Sequence, residues 1–324
     1  MADISRRSFL KRSIASGVAA GVVISGAGKL PMANGATEQK GTVIDLTRCD
    51  GCPKSQVPLC VEACRTKNRD RYPKPVENIQ DYWPHKKHED WSDKKHLTDR
   101  LTPYNWTFVQ RVSVEHQGKT YQLFIPRRCM HCDNPPCARL CPFSAQEKKP
   151  EGPVVIDENG CFGGAKCRDV CPWKIPQRQA GVGVYLKLAP KYIGGGVMYK
   201  CDLCYDLVRA GKQPACVEAC PQKAIVFGGK TDLGQFARQR AEEIGGYIYG
   251  DRQNGGTSTL YISPVPFDKI NQALTAQEAK PGMNPEVENF MDTANGMAKG
   301  FLVAPIAGVF AAGWAAVKTM KGEN

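Results

Sequence analysis

Histidine is scarce in this chain, with five in 324 residues, and aromatic residues make up only 8%. The runs that announce catalysis are missing as well. No glycine-rich phosphate loop follows a strand, and the nearest match, AGVGVY at 180–185, lacks the remaining spacing of a dinucleotide fingerprint. The C-x3-C-x2-C run of radical S-adenosylmethionine enzymes is absent, and no catalytic constellation of nucleophile and base stands out. The expectation is therefore a chain that is not itself an enzyme. Aromatic residues are not interleaved with a basic stripe, so the formal charge of +12 does not read as a nucleic-acid surface.

Cysteine is what the chain does have: 15 residues, set among 23 prolines and 32 glycines. Loops of that composition point to a fold held by metal more than by a wide apolar core. The cysteines fall in four groups. Cys49, Cys52, Cys60 and Cys64 read C-x2-C-x7-C-x3-C; Cys129, Cys132, Cys137 and Cys141 read C-x2-C-x4-C-x3-C-P. Cys161, Cys167 and Cys171 read C-x5-C-x3-C-P; Cys201, Cys204, Cys216 and Cys220 read C-x2-C-x11-C-x3-C-P. A tight loop supplies ligands to one iron–sulfur cluster, and the cysteine three residues on points to a neighbouring cluster. Zinc would favour isolated four-ligand knuckles, often with histidine, but only His131 lies inside a cysteine group. A disulfide framework needs an even count.

Iron–sulfur ligation absorbs every cysteine as three sets of four and one of three. With thiolates and cluster cores counted, the net charge falls to about +4. The set of three arises at CFGGAKCRDVCP, Cys161–Pro172, where Gly164 stands in the place of the second cysteine. One corner of a cubane then has no protein thiolate. The expected occupant is a [3Fe–4S] cluster; the alternative is a [4Fe–4S] cluster whose fourth iron takes water or a carboxylate such as Asp157.

Both ends carry addresses. Arg6 and Arg7, followed by Phe9, Leu10 and a weakly apolar run, form a twin-arginine export signal over residues 1–36, with cleavage between Pro31 and Thr37. That route carries folded proteins, which suits clusters acquired before export and argues against disulfides. Phe301–Val317 holds no charge and is followed by Lys318 and Lys321; at ~1.5 Å per residue it reaches about 26 Å, the short end of a membrane span. A membrane helix over 300–318 would place the body of the protein on the periplasmic side of the inner membrane.

The motifs RCMHCDNPPCARLCP and KCDLCYDLVRAGKQPACVEACP resemble those of the four-cluster iron–sulfur electron-transfer subunits of the dimethyl-sulfoxide reductase and formate dehydrogenase superfamily. The combination of export signal, four cysteine groups and C-terminal helix is similar in architecture to the iron–sulfur subunit of periplasm-facing, quinone-linked [NiFe] hydrogenases. The resemblance implies an α+β fold of two ferredoxin-like dicluster modules over residues 42–230, with an insertion at 68–125. It also implies crosswise ligation. Cys49, Cys52 and Cys60 would share a cluster with Cys220; Cys201, Cys204 and Cys216 with Cys64; Cys129, Cys132 and Cys137 with Cys171. Cys161 and Cys167 would join Cys141 at the three-cysteine site. The implied function is relay of single electrons between a catalytic subunit and a quinone-reactive membrane subunit. The catalytic partner would be a molybdenum- or tungsten-pterin oxidoreductase or a [NiFe] hydrogenase. A diffusible periplasmic polyferredoxin, or a reductase using the three-cysteine site, are the alternatives.

Between the motifs, residues 71–100 read as a solvated or partner-binding loop, and the stretch 106–126 as a β-hairpin turning at Gln117–Gly118. Lys223–Gly228 and Ser258–Ser263 read as strands. Residues 231–245 read as a helix capped by Thr231 or Asp232. The segment 231–299 is expected to be an extension, with residues 266–299 a polar tether to the membrane helix.

Overall fold

The computed structural model describes residues 38–81, 88–188, 195–277 and 280–298. The expected export signal and membrane helix lie outside them. Among the described residues no helix is long and apolar enough to cross a membrane.

The fold is mixed α+β. Its strands are β1 (Lys40–Asp45), β2 (Phe108–His116), β3 (Lys119–Arg127), β4 (Gln146–Lys148), β5 (Val154–Ile156), β6 (Gln177–Ala180), β7 (Gly196–Tyr199), β8 (Ile225–Gly229), β9 (Tyr247–Tyr249) and β10 (Thr259–Ser263). Its helices are α1 (Leu59–Lys67), α2 (Pro136–Arg139), α3 (Lys166–Asp169), α4 (Tyr185–Leu188), α5 (Tyr205–Arg209), α6 (Ala215–Glu218), α7 (Lys230–Ile244) and α8 (Phe267–Thr275).

One four-stranded sheet, in the order β8-β1-β10-β9, gathers both ends of the described chain. β1 runs parallel to β10 and antiparallel to β8. Its two faces have different partners. Val43 packs with Leu260 and Ile262 against Leu233, Ala237 and Ala241 of α7, residues spaced four apart and so on one helix face. Ile44, Ile225, Tyr249 and Tyr261 face the other way, into the core that holds the cysteines. The sheet thus continues through β9 and β10, so residues 247–263 are part of the cysteine-bearing body and not a separate extension.

The hairpin β2–β3 turns at Gln117 (φ 52°) and Gly118 (φ 72°). Two left-handed residues make the type I′ turn that suits the twist of a two-residue hairpin. Phe108, Val112, Val114, Leu123 and Ile125 form its buried face. Phe267, Ile270 and Leu274 of α8 join the same core. Here the structure differs from the expected tether: the apolar residues at 267, 270 and 274 recur at helical spacing inside a polar stretch, and Met283 beyond them is fully buried.

Two further differences concern local signals. α7 begins one residue before Thr231, with Gly229 as its N-cap and no side-chain cap. It ends at Gly245 (φ 60°), where Gly246 N–H returns to Ala241 O at 2.7 Å, a glycine stop of the usual kind. The loop before the hairpin is not wholly solvated. Leu101, Tyr104 and Trp106 are buried, and Asn105 donates to the carbonyls of Thr98 and Arg100 at 3.3 and 2.8 Å.

Candidate metal centres

The four cysteine groups are four copies of one local device. Each opens with a turn whose third residue is left-handed: Gly51 (φ 70°), His131 (50°), Gly163 (68°) and Leu203 (58°). A helical turn follows, entered from the carbonyls of Pro58, Pro135, Ala165 and Pro214, which accept from Val61, Ala138, Arg168 and Val217. Proline serves there because it fixes φ and has no N–H to leave unpaired. Three groups then close on a further left-handed residue after the C-P step. Ser144, Lys174 and Lys223 donate their amides back to Cys141, Cys171 and Cys220 O at 3.2, 3.0 and 3.1 Å. The first group has no such proline, and α1 runs on to Lys67.

Gly164 follows Gly163 as Cys52 follows Gly51, Cys132 follows His131 and Cys204 follows Leu203. The backbone therefore puts Gly164 in the place of a second cysteine.

None of the fifteen cysteines forms a disulfide. Cys49, Cys52, Cys60 and Cys220 line one small cavity of about 20 Å³, with Pro58, Val109 and Ile225. Cys64, Cys201, Cys204 and Cys216 line a second of about 10 Å³, with Asn68, Trp106 and Arg128. Cys141, Cys161 and Cys167 line a wider one of about 260 Å³, with Phe162, Gly164 and Tyr185. Cys129, Cys132, Cys137 and Cys171 are close enough to repel one another when ionised. Burial, then Cys171 and Cys129, pushes Cys132 up to about 12, and burial, opposed by Lys200, then Cys129, Cys171 and Cys132 raise Cys137.

These four sets are linked in sequence. Burial and then Cys216 raise Cys60, tying the first set to the second. Cys201 is pushed up to about 11 by burial, drawn down by Arg128 and raised again by Cys129 of the third. Cys167 is pushed up to about 12 by burial, then by Cys161, with Cys141 and Cys171 adding to it, which joins the fourth set to the third.

Among the described residues, no three His, Cys, Asp or Glu converge closely enough to hold a single metal ion. A tetrahedral zinc site with bonds of about 2.3 Å needs sulfurs about 3.8 Å apart. Thiols arrayed around a space suit a cluster instead. The surrounding charges fit as well. Arg128 and Lys200 are buried, and no carboxylate pairs with either among the described residues. Burial opposes the charge on both, yet Cys216 and Cys201 outweigh it at Arg128, and Cys129, Cys137 and Cys201 at Lys200. Asp202 adds less at Lys200 than the sulfurs do, and two buried cations without a paired carboxylate call for an anionic group beside them. The Nε of Arg128 is buried with no partner, as a donor facing cluster sulfur would be. Backbone amides also aim at sulfur: Met198 at Cys161 (3.4 Å), Leu203 at Cys201 (3.4 Å) and Ala224 at Cys220 (3.3 Å).

Asp157 does not line the three-thiol cavity. Its Oδ1 accepts the Asn159 amide at 3.0 Å, a local turn. Lys166 is the one charged residue among the cavity's described lining. His88 in the loop over 71–100 is exposed and bonds Asp81 at 3.2 Å. Sequence reasoning missed His131, Arg128 and Lys200 as parts of these centres; a histidine and two cations adjoining cysteines were the available signal.

Models of the 4Fe–4S dicluster domain match residues 48–145 and 120–230. The formate dehydrogenase-O iron-sulfur subunit of Escherichia coli K12 is 31% identical over 291 residues, covering 87% of this chain and 84% of that one. The probable anaerobic dimethyl sulfoxide reductase chain YnfG of the same strain is 33% identical over 200 residues, 61% of this chain and 78% of that one. The hydrogenase-2 operon protein HybA of E. coli O157:H7 is 27% identical over 312 residues, 83% of each chain.

Proposed function

Because the chain belongs to the family of iron–sulfur electron-transfer subunits of oxidoreductase complexes, we propose that it relays single electrons through four clusters. The route runs between a catalytic subunit and a quinone-reactive membrane subunit, on the periplasmic side of the inner membrane. Cys49, Cys52, Cys60 and Cys220 hold one [4Fe–4S] cluster; Cys64, Cys201, Cys204 and Cys216 a second; Cys129, Cys132, Cys137 and Cys171 a third. Cys141, Cys161 and Cys167 hold a [3Fe–4S] cluster. The twin-arginine signal exports the chain, and the 300–318 helix anchors it.

The observation that carries this reading is the gathering of the thiols at separate cavities, Cys49, Cys52, Cys60 and Cys220 at one, Cys64, Cys201, Cys204 and Cys216 at a second, and Cys141, Cys161 and Cys167 at a third. A catalytic protein needs one site with open access; a relay needs several in line. Bound iron–sulfur clusters supply one-electron redox states at potentials set by their surroundings. The chain's own residues hold those surroundings fixed. Thiolates carry the charge, amides of Met198, Leu203 and Ala224 donate to sulfur, and Arg128 and Lys200 offset the negative charge.

Likeness over most of both chains to a hydrogenase operon protein and to a formate dehydrogenase subunit supports either partner class. Detergent extraction, affinity purification on this chain and elemental analysis separate them. A complex with stoichiometric nickel assigns a hydrogenase partner, and molybdenum or tungsten a pterin enzyme. Recovery of the chain alone from the soluble periplasm, at full in-cell electron flux, contradicts the relay-subunit reading in favour of a diffusible carrier.

A further inference from the structure

His131 takes the left-handed third place in its loop, where the first and third loops use glycine. A side chain there strains the backbone, which glycine would not. The ring is fully buried, and both nitrogens are engaged. Nδ1 accepts the Val154 amide at 3.0 Å, which leaves the proton on Nε2. Nε2 lies 3.7 Å from Cys201 Sγ, so its N–H donates to that sulfur. His131 thus belongs by chain to the third set and by side chain to the second.

The Val154 peptide closes the connection. Its carbonyl accepts Lys200 Nζ, which also donates to Cys201 O at 3.1 Å. Arg128 Nη1 lies 3.9 Å from Cys201 Sγ, and the Leu203 amide 3.4 Å from it. One sulfur of the second set therefore collects an imidazole, a guanidinium and an amide. Asp50 and Asp202 hold the same place after Cys49 and Cys201, each accepting the amide two residues on, so the carboxylates do not separate the two sites; among the described residues the first set has only backbone donors to sulfur.

We propose that His131 is a positioning residue for electron transfer between the second and third sites, its Nε2–H stabilising the reduced cluster on Cys64, Cys201, Cys204 and Cys216. The second site then holds the electron more readily than the first. This rests on the cluster assignment above. Reduction adds one electron from the neighbouring site and no proton moves; a donor aimed at sulfur favours the added negative charge.

The test is a mediated redox titration of the holoprotein followed by electron paramagnetic resonance, with the second-site signal assigned by its change in Cys201→Ser. His131→Asn tolerates the left-handed backbone but is too short to reach the sulfur; His131→Gly supplies the residue of the first and third loops. In both, the reduced-to-oxidised ratio of the second site is expected to fall about three- to tenfold at a fixed potential, tenfold being about 59 mV for one electron. The third site, whose loop carries the substitution, keeps its ratio. An unchanged second site in variants with full iron content, or a shift confined to the third site, overturns the proposal alone. Absence of any titratable cluster in the unsubstituted protein overturns the assignment beneath it.

Discussion

Cys49–Cys52 and Cys161–Gly164 share a left-handed third residue, Gly51 (φ 70°) and Gly163 (φ 68°), but in fourth place Cys52 is left-handed too (φ 56°) and Gly164 is not. Cys132 carries its thiol on a fourth residue that, like Gly164, is not left-handed. The first loop ends in a half-buried thiol and the third in an exposed glycine. The space differs too: about 20 Å³ beside the first loop against about 260 Å³ beside the third. At the wider site Phe143, half exposed, stacks on Phe162 with centroids 4.0 Å apart. Backbone geometry and ligand count are therefore separate properties. The left-handed residue makes the turn; the thiol decides what the turn can hold.

The largest effect that probes this comparison is metal removal. Anaerobic stripping of iron is expected to abolish the cooperative thermal transition seen by circular dichroism. The buried cations Arg128 and Lys200 then lose their counter-charge, and buried thiols such as Cys60 resist ionising in its place. A transition that survives with little change would mean that the apolar core alone carries the fold.

Gly164→Cys makes the third loop chemically like the first. Iron is expected to rise by about one atom per chain, and the three-iron resonance to vanish. Retention of that resonance would show that the turn, and not the missing thiol, limits the site.

Gly163→Ala attacks the turn itself. A β-carbon there would sit 2.4 Å from Gly196 O, at positive φ. We expect a loss of at least about 2 kcal/mol in chemical denaturation of the holoprotein, whereas Gly164→Ala stays within about 0.5 kcal/mol. Equal losses would remove the distinction between the two glycines.

The smallest expected effect is at a brace on the helix of the third group. Glu89 takes both Arg168 nitrogens at 2.7 Å, linking α3 to the preceding loop. Glu89→Gln is expected to cost about 1 kcal/mol on the same measurement, as a well-aligned, half-buried pair should.

How far the sequence reached depended on the range of the signal. The hairpin was legible because Gln117–Gly118 sits between alternating residues, a purely local pattern. The cysteine groups were legible for the same reason, and Gly164 stood out against the spacing of its neighbours. The helix α8 was not, because Phe267, Ile270 and Leu274 are only three apolar residues in a polar stretch, and their partner is a hairpin more than 130 residues earlier in sequence. The burial of Leu101, Tyr104 and Trp106 likewise depends on distant chain. His131 was seen only as an argument about zinc. Its part at Cys201 arises across 70 residues, through a Val154 amide that no spacing rule foretells.

The central claim is four iron–sulfur sites, one of them a three-iron site. Electron paramagnetic resonance of the anaerobically purified protein, before and after mild oxidation, with iron counted on the same sample, tests it most directly. The account predicts about 15 iron atoms per chain and an oxidised three-iron signal near one spin. Iron near 16 with no such signal would place a complete cubane at Gly164, and iron near zero with stoichiometric zinc would contradict the relay altogether.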